Sequence, residues 1–172
     1  MVKRKDATLM WITKERFEAE ITDLHEDRFA KTFRSKATMQ DLWPCLGVFT
    51  VDGALAGAIA YTVSKKYVAN LQLLHVFYAF RNMGFGRMLC DTFLKNANNM
   101  TAEYFRVSAE PSAVKFYENL GIKFLGKQKS GSSLAMARLG KTFETCVYDI
   151  NDSVINKAVY SKAKGGCVEI YA

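Results

Sequence analysis

Apolar positions along the chain change period several times, and each change predicts an element. Residues 8–12 (TLMWI) read as a short first strand. From Lys14 to Phe33 the apolar residues Phe17, Ile21, Leu24 and Phe33 recur at helical spacing among alternating charges, which predicts an amphipathic helix. Thr38–Leu42 adds a short helical turn that Pro44 ends. Leu46–Val51 and Leu55–Val63 flank Asp52-Gly53, a pair that supplies the positive dihedrals of a tight turn, so this stretch predicts a hairpin. Lys65-Lys66-Tyr67 then turns the chain into a central strand. An apolar, aromatic-rich run from Leu71 to Phe80 breaks at Arg81-Asn82-Met83-Gly84-Phe85-Gly86-Arg87, and Met88, Leu89, Phe93 and Leu94 follow at helical spacing. Glu103–Glu110 reads as a strand, and the segment from Pro111 to Leu120 as a helix closed by Gly121. Residues 122–127 and 133–139 predict a strand pair joined by Lys129-Ser130-Gly131-Ser132.

The last thirty residues keep the patterning. They predict a strand at Thr145–Ile150, a helix that starts after Asp152 or Ser153 and runs to about Ser161, and a final strand at Cys167–Tyr171. A tail with so many apolar residues is expected to pack, burying Val147, Ile150, Ile155, Val159, Val168 and Ile170. Strands followed by helix, strand, helix and further strands give an α/β architecture with a mixed sheet.

The break at Arg81–Arg87 carries the candidate chemistry. The first turn of a helix has backbone N–H groups without intrahelical partners and a partial positive charge, so a loop leading into it can hold phosphate. Gly84 and Gly86 allow close backbone approach, and Arg81 and Arg87 add charge that does not titrate. The lysine and hydroxyl residue of a nucleotide-triphosphate loop are missing, as is the three-glycine dinucleotide fingerprint with its downstream acid.

Composition narrows the class. At 172 residues the chain fits one domain able to bury roughly 70% of its unfolded surface. No apolar run approaches the ~20 residues of a membrane span, and the basic start MVKRKD leads to no small-residue cleavage site, so a cytoplasmic protein is expected. Cys45, Cys90, Cys146 and Cys167 are far apart, and only His25 and His75 accompany them. Free thiols packed as small hydrophobes are therefore expected, and no metal. His25, among Glu26 and Asp27, reads as a surface histidine. The net charge of +7 suits anionic partners and permits nucleic acid, but the lysines and arginines are spread along the chain and form no block.

An arginine followed by x-x-G-x-G directly after a strand resembles the coenzyme A loop of the GCN5-related N-acetyltransferases (GNAT). The segment Pro111-Ser-Ala-Val-Lys-Phe-Tyr117-Glu-Asn-Leu-Gly121-Ile is similar to that family's A-x-x-F-Y-E-x-x-G-F signature. Both motifs stand in the family's order, and the resemblance covers about residues 45 to 139. It implies a GNAT-like mixed, mostly antiparallel central sheet with flanking helices, a core over residues 1–140 and a C-terminal extension, 141–172, packed on the same domain. It also implies acetyl-CoA as cofactor. The strands on either side of the loop-bearing helix would splay to admit the pantetheine arm. Leu74, His75 and Val76 would line that arm with backbone groups, Arg81, Asn82, Met83, Gly84, Phe85, Gly86 and Arg87 would hold the pyrophosphate, and an amide near Val76 would polarise the thioester carbonyl. Tyr117 matches the family tyrosine that protonates the departing thiolate, since a phenol of pKa near ~10 is protonated at neutral pH. The region around Trp43 would help wall the acceptor site.

The base is left open. If Leu74 and Val76 pack inward, alternation puts His75 on the other strand face, where an imidazole of pKa ~6.5 suits a general base; a buried, satisfied histidine is the equal alternative. Glu110 stands where many members carry asparagine, and Tyr78 where many carry proline. The first reading is an acetyl-CoA-dependent N-acyltransferase acting on a primary amine, small or macromolecular, as a monomer or homodimer. The alternatives are a phage-type DNA-modifying relative, motivated by the net charge and by Lys127, Lys129, Lys162 and Lys164, and a non-catalytic module binding coenzyme A or a protein.

Overall fold

Strand, turn and helix signals cut the chain much as the pattern predicts. A computed structural model describes residues 6–12, 45–161 and 165–171. The helix expected at Lys14–Phe33 with His25, the turn at Thr38–Leu42, Trp43, Lys162 and Lys164 lie outside the described residues. The described strands are β1 (Thr8–Trp11), β2 (Cys45–Phe49), β3 (Leu55–Val63), β4 (Val68–Val76), β5 (Tyr104–Ala109), β6 (Gly126–Gln128), β7 (Ser133–Arg138) and β8 (Cys167–Ile170). The described helices are α1 (Phe85–Asn99), α2 (Val114–Asn119) and α3 (Ser153–Tyr160). The strands form one mixed sheet in the order β1-β2-β3-β4-β5-β7-β6-β8. The β4–β5 pair is parallel, while β1–β2, β2–β3, β5–β7, β6–β7 and β6–β8 are antiparallel. This is the mixed, mostly antiparallel α/β architecture that the sequence implies.

Contacts divide the described residues into two units, one made of those up to Thr62 with Gln72–Phe93, the other of Val63–Leu71 with those from Leu94 onward. In the first, the β2–β3 hairpin closes as Asp52-Gly53 requires. Gly53 sits at φ +81, its N–H donates to the Thr50 carbonyl at 2.9 Å, and the Ala54 N–H donates to Thr50 Oγ1 at 3.2 Å. The core of this unit gathers Cys45, Phe49, Leu55, Ala58, Ala60 and Phe77, with Ile12, Leu73 and Phe80 packed against it. Phe85, Leu89 and Phe93 recur every four residues on α1 and are buried, and the Phe93 ring meets Tyr61 edge-on at 5.1 Å.

In the second unit β5 lies between β4 and β7, and Val68, Tyr104, Leu134, Met136, Ile155 and Val159 form the core. The C-terminal residues supply part of it. Asp152 caps α3, accepting from the Val154 N–H at 2.9 Å and the Ile155 N–H at 3.5 Å, and this sets Ile155 and Val159 inward. Strand β8 pairs with β6, and Gly126 is the residue that permits it: a Cβ there would lie 2.4 Å from the Glu169 carbonyl oxygen.

Two expectations for the tail are corrected. Thr145–Ile150 forms no strand, only a single bridge between Val147 and Arg138. Local side chains win over the alternating pattern there: Thr145 Oγ1 accepts from the Thr142 N–H at 3.0 Å, Thr142 Oγ1 accepts from the Thr145 N–H at 3.2 Å, and Asp149 accepts from the Asn151 N–H at 2.9 Å, which curls the chain into turns. Accordingly Val147 stays 56% exposed. Val168 is 69% exposed as well, because β8 is an edge strand with β6 as its neighbour in the sheet.

Candidate active site

The first unit carries the glycine loop at the end of β4. The apolar run that continues to Phe80 is not all strand. Phe77 is extended (φ −63, ψ 145) and its N–H donates to the Ala56 carbonyl at 2.9 Å, after which Tyr78–Phe80 make one 3-10 turn. Arg81 folds back, its Nε donating to the Val76 carbonyl at 3.0 Å and its guanidinium standing 5.7 Å from the centre of the exposed Tyr78 ring. Asn82 (φ +63) and Gly84 (φ +85) then reverse the chain in the left-handed region, and the Gly84 carbonyl accepts the first helical bond, from the Met88 N–H at 3.1 Å. Phe85 is buried at 1% exposure and anchors the start of α1, while Arg81, Asn82 and Arg87 are exposed. The first turn of α1 contains no acidic residue, so its amides and the two arginines act on an incoming anion with one sign. Chemically, a helix start of this kind can hold a phosphate.

Upstream of the loop, Leu74, His75 and Val76 end β4 and are half-buried. The parallel register with β5 runs from Val68↔Tyr104 to Leu71↔Val107, so these three residues lie past its last pair. The backbone here is held closely. A Cβ at Gly57 of β3 would come within 2.7 Å of the His75 carbonyl oxygen and 3.3 Å of the Val76 Cα. Gly57 is therefore the residue that lets β3 approach the end of β4 closely, and its signal in the sequence is a glycine inside a strand pattern. Leu73 and Phe77 belong to the core side, and the His75 ring packs edge-on against Phe77 at 5.0 Å between centroids. His75 thus lies on the strand face of Leu73, while Leu74 and Val76, equally half-buried, lie on the other.

The second unit carries Glu110 and Tyr117. Glu110 is exposed in extended conformation (φ −61, ψ 152) where β5 leads into a 3-10 turn, Pro111–Ala113, that runs on into α2. Tyr117 on α2 is 7% exposed, with its ring edge-on to Phe116 at 5.1 Å and to Phe124 at 6.3 Å. Gly121 (φ +97) ends this helix as expected.

The thiols offer little nucleophilic character. Burial pushes Cys45 up to about 12 and also raises Cys90, Cys146 and Cys167. Among the described residues no group of three or more His, Cys, Asp or Glu is placed to hold a metal ion, and no helix is long and apolar enough to cross a membrane.

With this geometry in place, residues 15–142 match the family model described as an acetyltransferase (GNAT) domain. The chain belongs to the GNAT acetyltransferase family. Its members use acetyl-CoA, so this GNAT chain is an acetyl-CoA-dependent acyltransferase. Solved structures share the fold at low identity. A GNAT-family acetyltransferase from Staphylococcus aureus is 11% identical with a TM-score of 0.61, covering 78% of this chain and 99% of its own. The protein yncA from Salmonella typhimurium, solved with its cofactor acetyl-CoA, is 14% identical at a TM-score of 0.61, covering 79% and 95%. A mutant of the spermidine N-acetyltransferase SpeG from Vibrio cholerae is 14% identical at 0.63, covering 80% and 96%. A search of curated proteins finds no match. The start of α1, with Asn82 and Gly84 left-handed and no acid in its first turn, offers charge and backbone conformation of the kind that suits a pyrophosphate.

Proposed function

We propose that this GNAT protein transfers the acetyl group of acetyl-CoA directly to a primary amine, with the loop Arg81–Arg87 as the pyrophosphate cradle and Tyr117 as the acid. The observation that carries the reading is the turn itself: Asn82 and Gly84 in left-handed conformation deliver the chain into a helix whose first turn holds no acid. When bound, the cofactor supplies an activated thioester. The backbone of Leu74, His75 and Val76 lines its arm, and the close approach allowed by Gly57 fixes that backbone. Arg81, bonded to the Val76 carbonyl, couples the position of the loop to the position of the strand end. Direct transfer is favoured over a thiol-bound acyl group because burial raises all four thiols and so disfavours the thiolate that would attack.

Tyr117 holds the proton that the departing sulfur needs, and its burial between two aromatic rings fixes the phenol. The packing of His75 against Phe77 supports a role in shaping the strand end, and the amine's proton is assigned to water. The acceptor is assigned at the level of class, an amine, in keeping with the spermidine acetyltransferase among the structural neighbours. Calorimetry of coenzyme A binding tests the reading. Gly86→Asp puts a side chain and a like charge in the cradle, so affinity is expected to fall by more than about tenfold. Equal affinity in variant and parent would remove the loop from the site.

A further inference from the structure

The second unit holds a cation that the mechanism above does not use. Arg106 on β5 is half-buried, and its Nε is shielded from solvent and makes no hydrogen bond. Its one bond runs from Nη2 to the Gly165 carbonyl, at a long 3.4 Å. Burial lowers its pKa, and the only group acting the other way is the Cys167 thiol. No carboxylate of the described residues pairs with it, in contrast to Arg138, which meets Asp152 at 2.9 Å.

A guanidinium carries five N–H donors and does not neutralise itself in a protein, so Arg106 carries the cost of its shielded, unbonded Nε while its solvent-facing nitrogens remain able to take an anion in place of water. The surroundings hold the group in place. Gln128, only 8% exposed, donates from Nε2 to the same Gly165 carbonyl and accepts from Ser108 Oγ at 2.8 Å. Gly165, at φ +73, is a turn position where a Cβ would approach the Gln128 amide at 3.4 Å and Arg106 Nη2 at 3.8 Å. Strands β5 and β6 and the turn before β8 thus surround one guanidinium whose Nη2 contact is exposed. Strand β5 also leads, from Ser108 through Ala109, directly into Glu110 and the helix of Tyr117.

We infer that Arg106 is the receptor for an oxyanion, carboxylate or phosphate, carried by the amine acceptor, with Gln128, Ser108 and Gly165 as its positioning frame. The acceptor is then an amine that bears its own negative charge at some distance from the nitrogen. This rests on the acyl-transfer reading for its biological meaning, but the binding event does not.

The test is a titration of the whole protein, saturated with coenzyme A so that the loop at Arg81–Arg87 is filled, with inorganic phosphate and separately with acetate, followed by the Nε–H resonance of Arg106. A saturable shift that disappears in Arg106→Gln, with coenzyme A affinity unchanged, is expected. No saturable shift in the parent protein overturns the inference, whether or not the variant folds. A parallel arm compares acetylation of ethanolamine, β-alanine and O-phosphoethanolamine. One of the two charged amines is expected to be preferred over ethanolamine by about tenfold to a hundredfold, the value of a charge-assisted hydrogen bond, and Arg106→Gln should abolish the preference while Arg106→Lys keeps part of it. Phosphate or acetate binding without any preference among amines that are acetylated would overturn the acceptor assignment. If the protein fails to bind coenzyme A, the acyl-transfer reading falls, and the titration run without the cofactor still decides the anion site.

Discussion

At the scale of single residues, Tyr117 offers the cleanest separation of chemistry from packing. Its ring is held by Phe116 and Phe124, so Tyr117→Phe keeps those edge contacts and removes only the proton donor. Turnover is expected to fall about a hundredfold or more with acetyl-CoA affinity unchanged, read by kcat across pH and by calorimetry; an unchanged rate would assign the proton elsewhere. The helix that carries it was legible because Phe116-Tyr117-Glu118 lies in a contiguous helical pattern closed by Gly121. His75 was less legible. Alternation fixes that neighbours point to opposite sides but not what each side meets, and the contact of the His75 ring with Phe77 appears only in the fold. His75→Gln is therefore expected to lower stability while leaving the shape of the kcat/KM pH profile intact; loss of an acid limb near ~6.5 in that variant would make His75 the base instead.

At the scale of elements, the strand end before the glycine loop depends on a residue in its neighbour. Gly57→Ala would drive a methyl group into the His75 carbonyl, and backbone cannot yield as a side chain tip can. The expected result is a raised KM for acetyl-CoA with some loss of thermal stability, whereas an unchanged KM would show that β4 tolerates displacement. Helix α3 gives a second, titratable case. Burial alone would raise the Asp152 carboxyl, but hydrogen bonds from Arg138, the Val154 N–H, Tyr104 and the Ile155 N–H outweigh it and hold the group below its ordinary value. A depressed carboxyl contributes stability that is fully present above its unfolded pKa and is lost as pH falls through the folded one. Asp152→Asn keeps the cap and loses the charge, so its Tm should lie below the parent's at neutral pH, with the gap starting to close only below about pH 4 and vanishing once the folded carboxyl is protonated. Asp152→Ala, which also loses the cap, should fall a further 2–4 °C or so at every pH. The cap was legible from Asp152 alone, since acid before an apolar helical pattern is a start signal. The failed strand at Thr145–Ile150 was not, because threonine favours strands by its branching and turns by its hydroxyl, and here the hydroxyls of Thr142 and Thr145 found each other.

At the scale of the whole molecule, the family match ends at residue 142, while the second unit's core does not. Ile155 and Val159 are fully buried against Val68, Tyr104, Leu134 and Met136, and Ile150, Val154, Ala158, Cys167 and Ile170 pack around them. The two motifs made the family readable, because a glycine loop and a helix end are local signals. Beyond residue 140 the capped helix and the last strand were legible from Asp152 and the apolar pattern, whereas what they pack against is non-local and was not. The consequence is a proposal about folding. Truncation after Gly140 would remove α3 and β8 together, exposing the side chains of Leu134 and Met136 and leaving Tyr104 without the Asp152 carboxylate it donates to at 3.1 Å. Burial of two large aliphatic side chains is each worth about 1.5–3 kcal/mol, so Ile155→Ala alone should destabilise by about 2–5 kcal/mol, a large part of a typical domain's total. The truncated chain is therefore expected to lose cooperative thermal unfolding and to bind a hydrophobic dye, with acetyl-CoA affinity falling as the fold does. If it melts sharply near the parent's Tm and retains turnover, residues 141–172 are an appendage to the enzyme, and the buried positions on α3 serve only α3 itself.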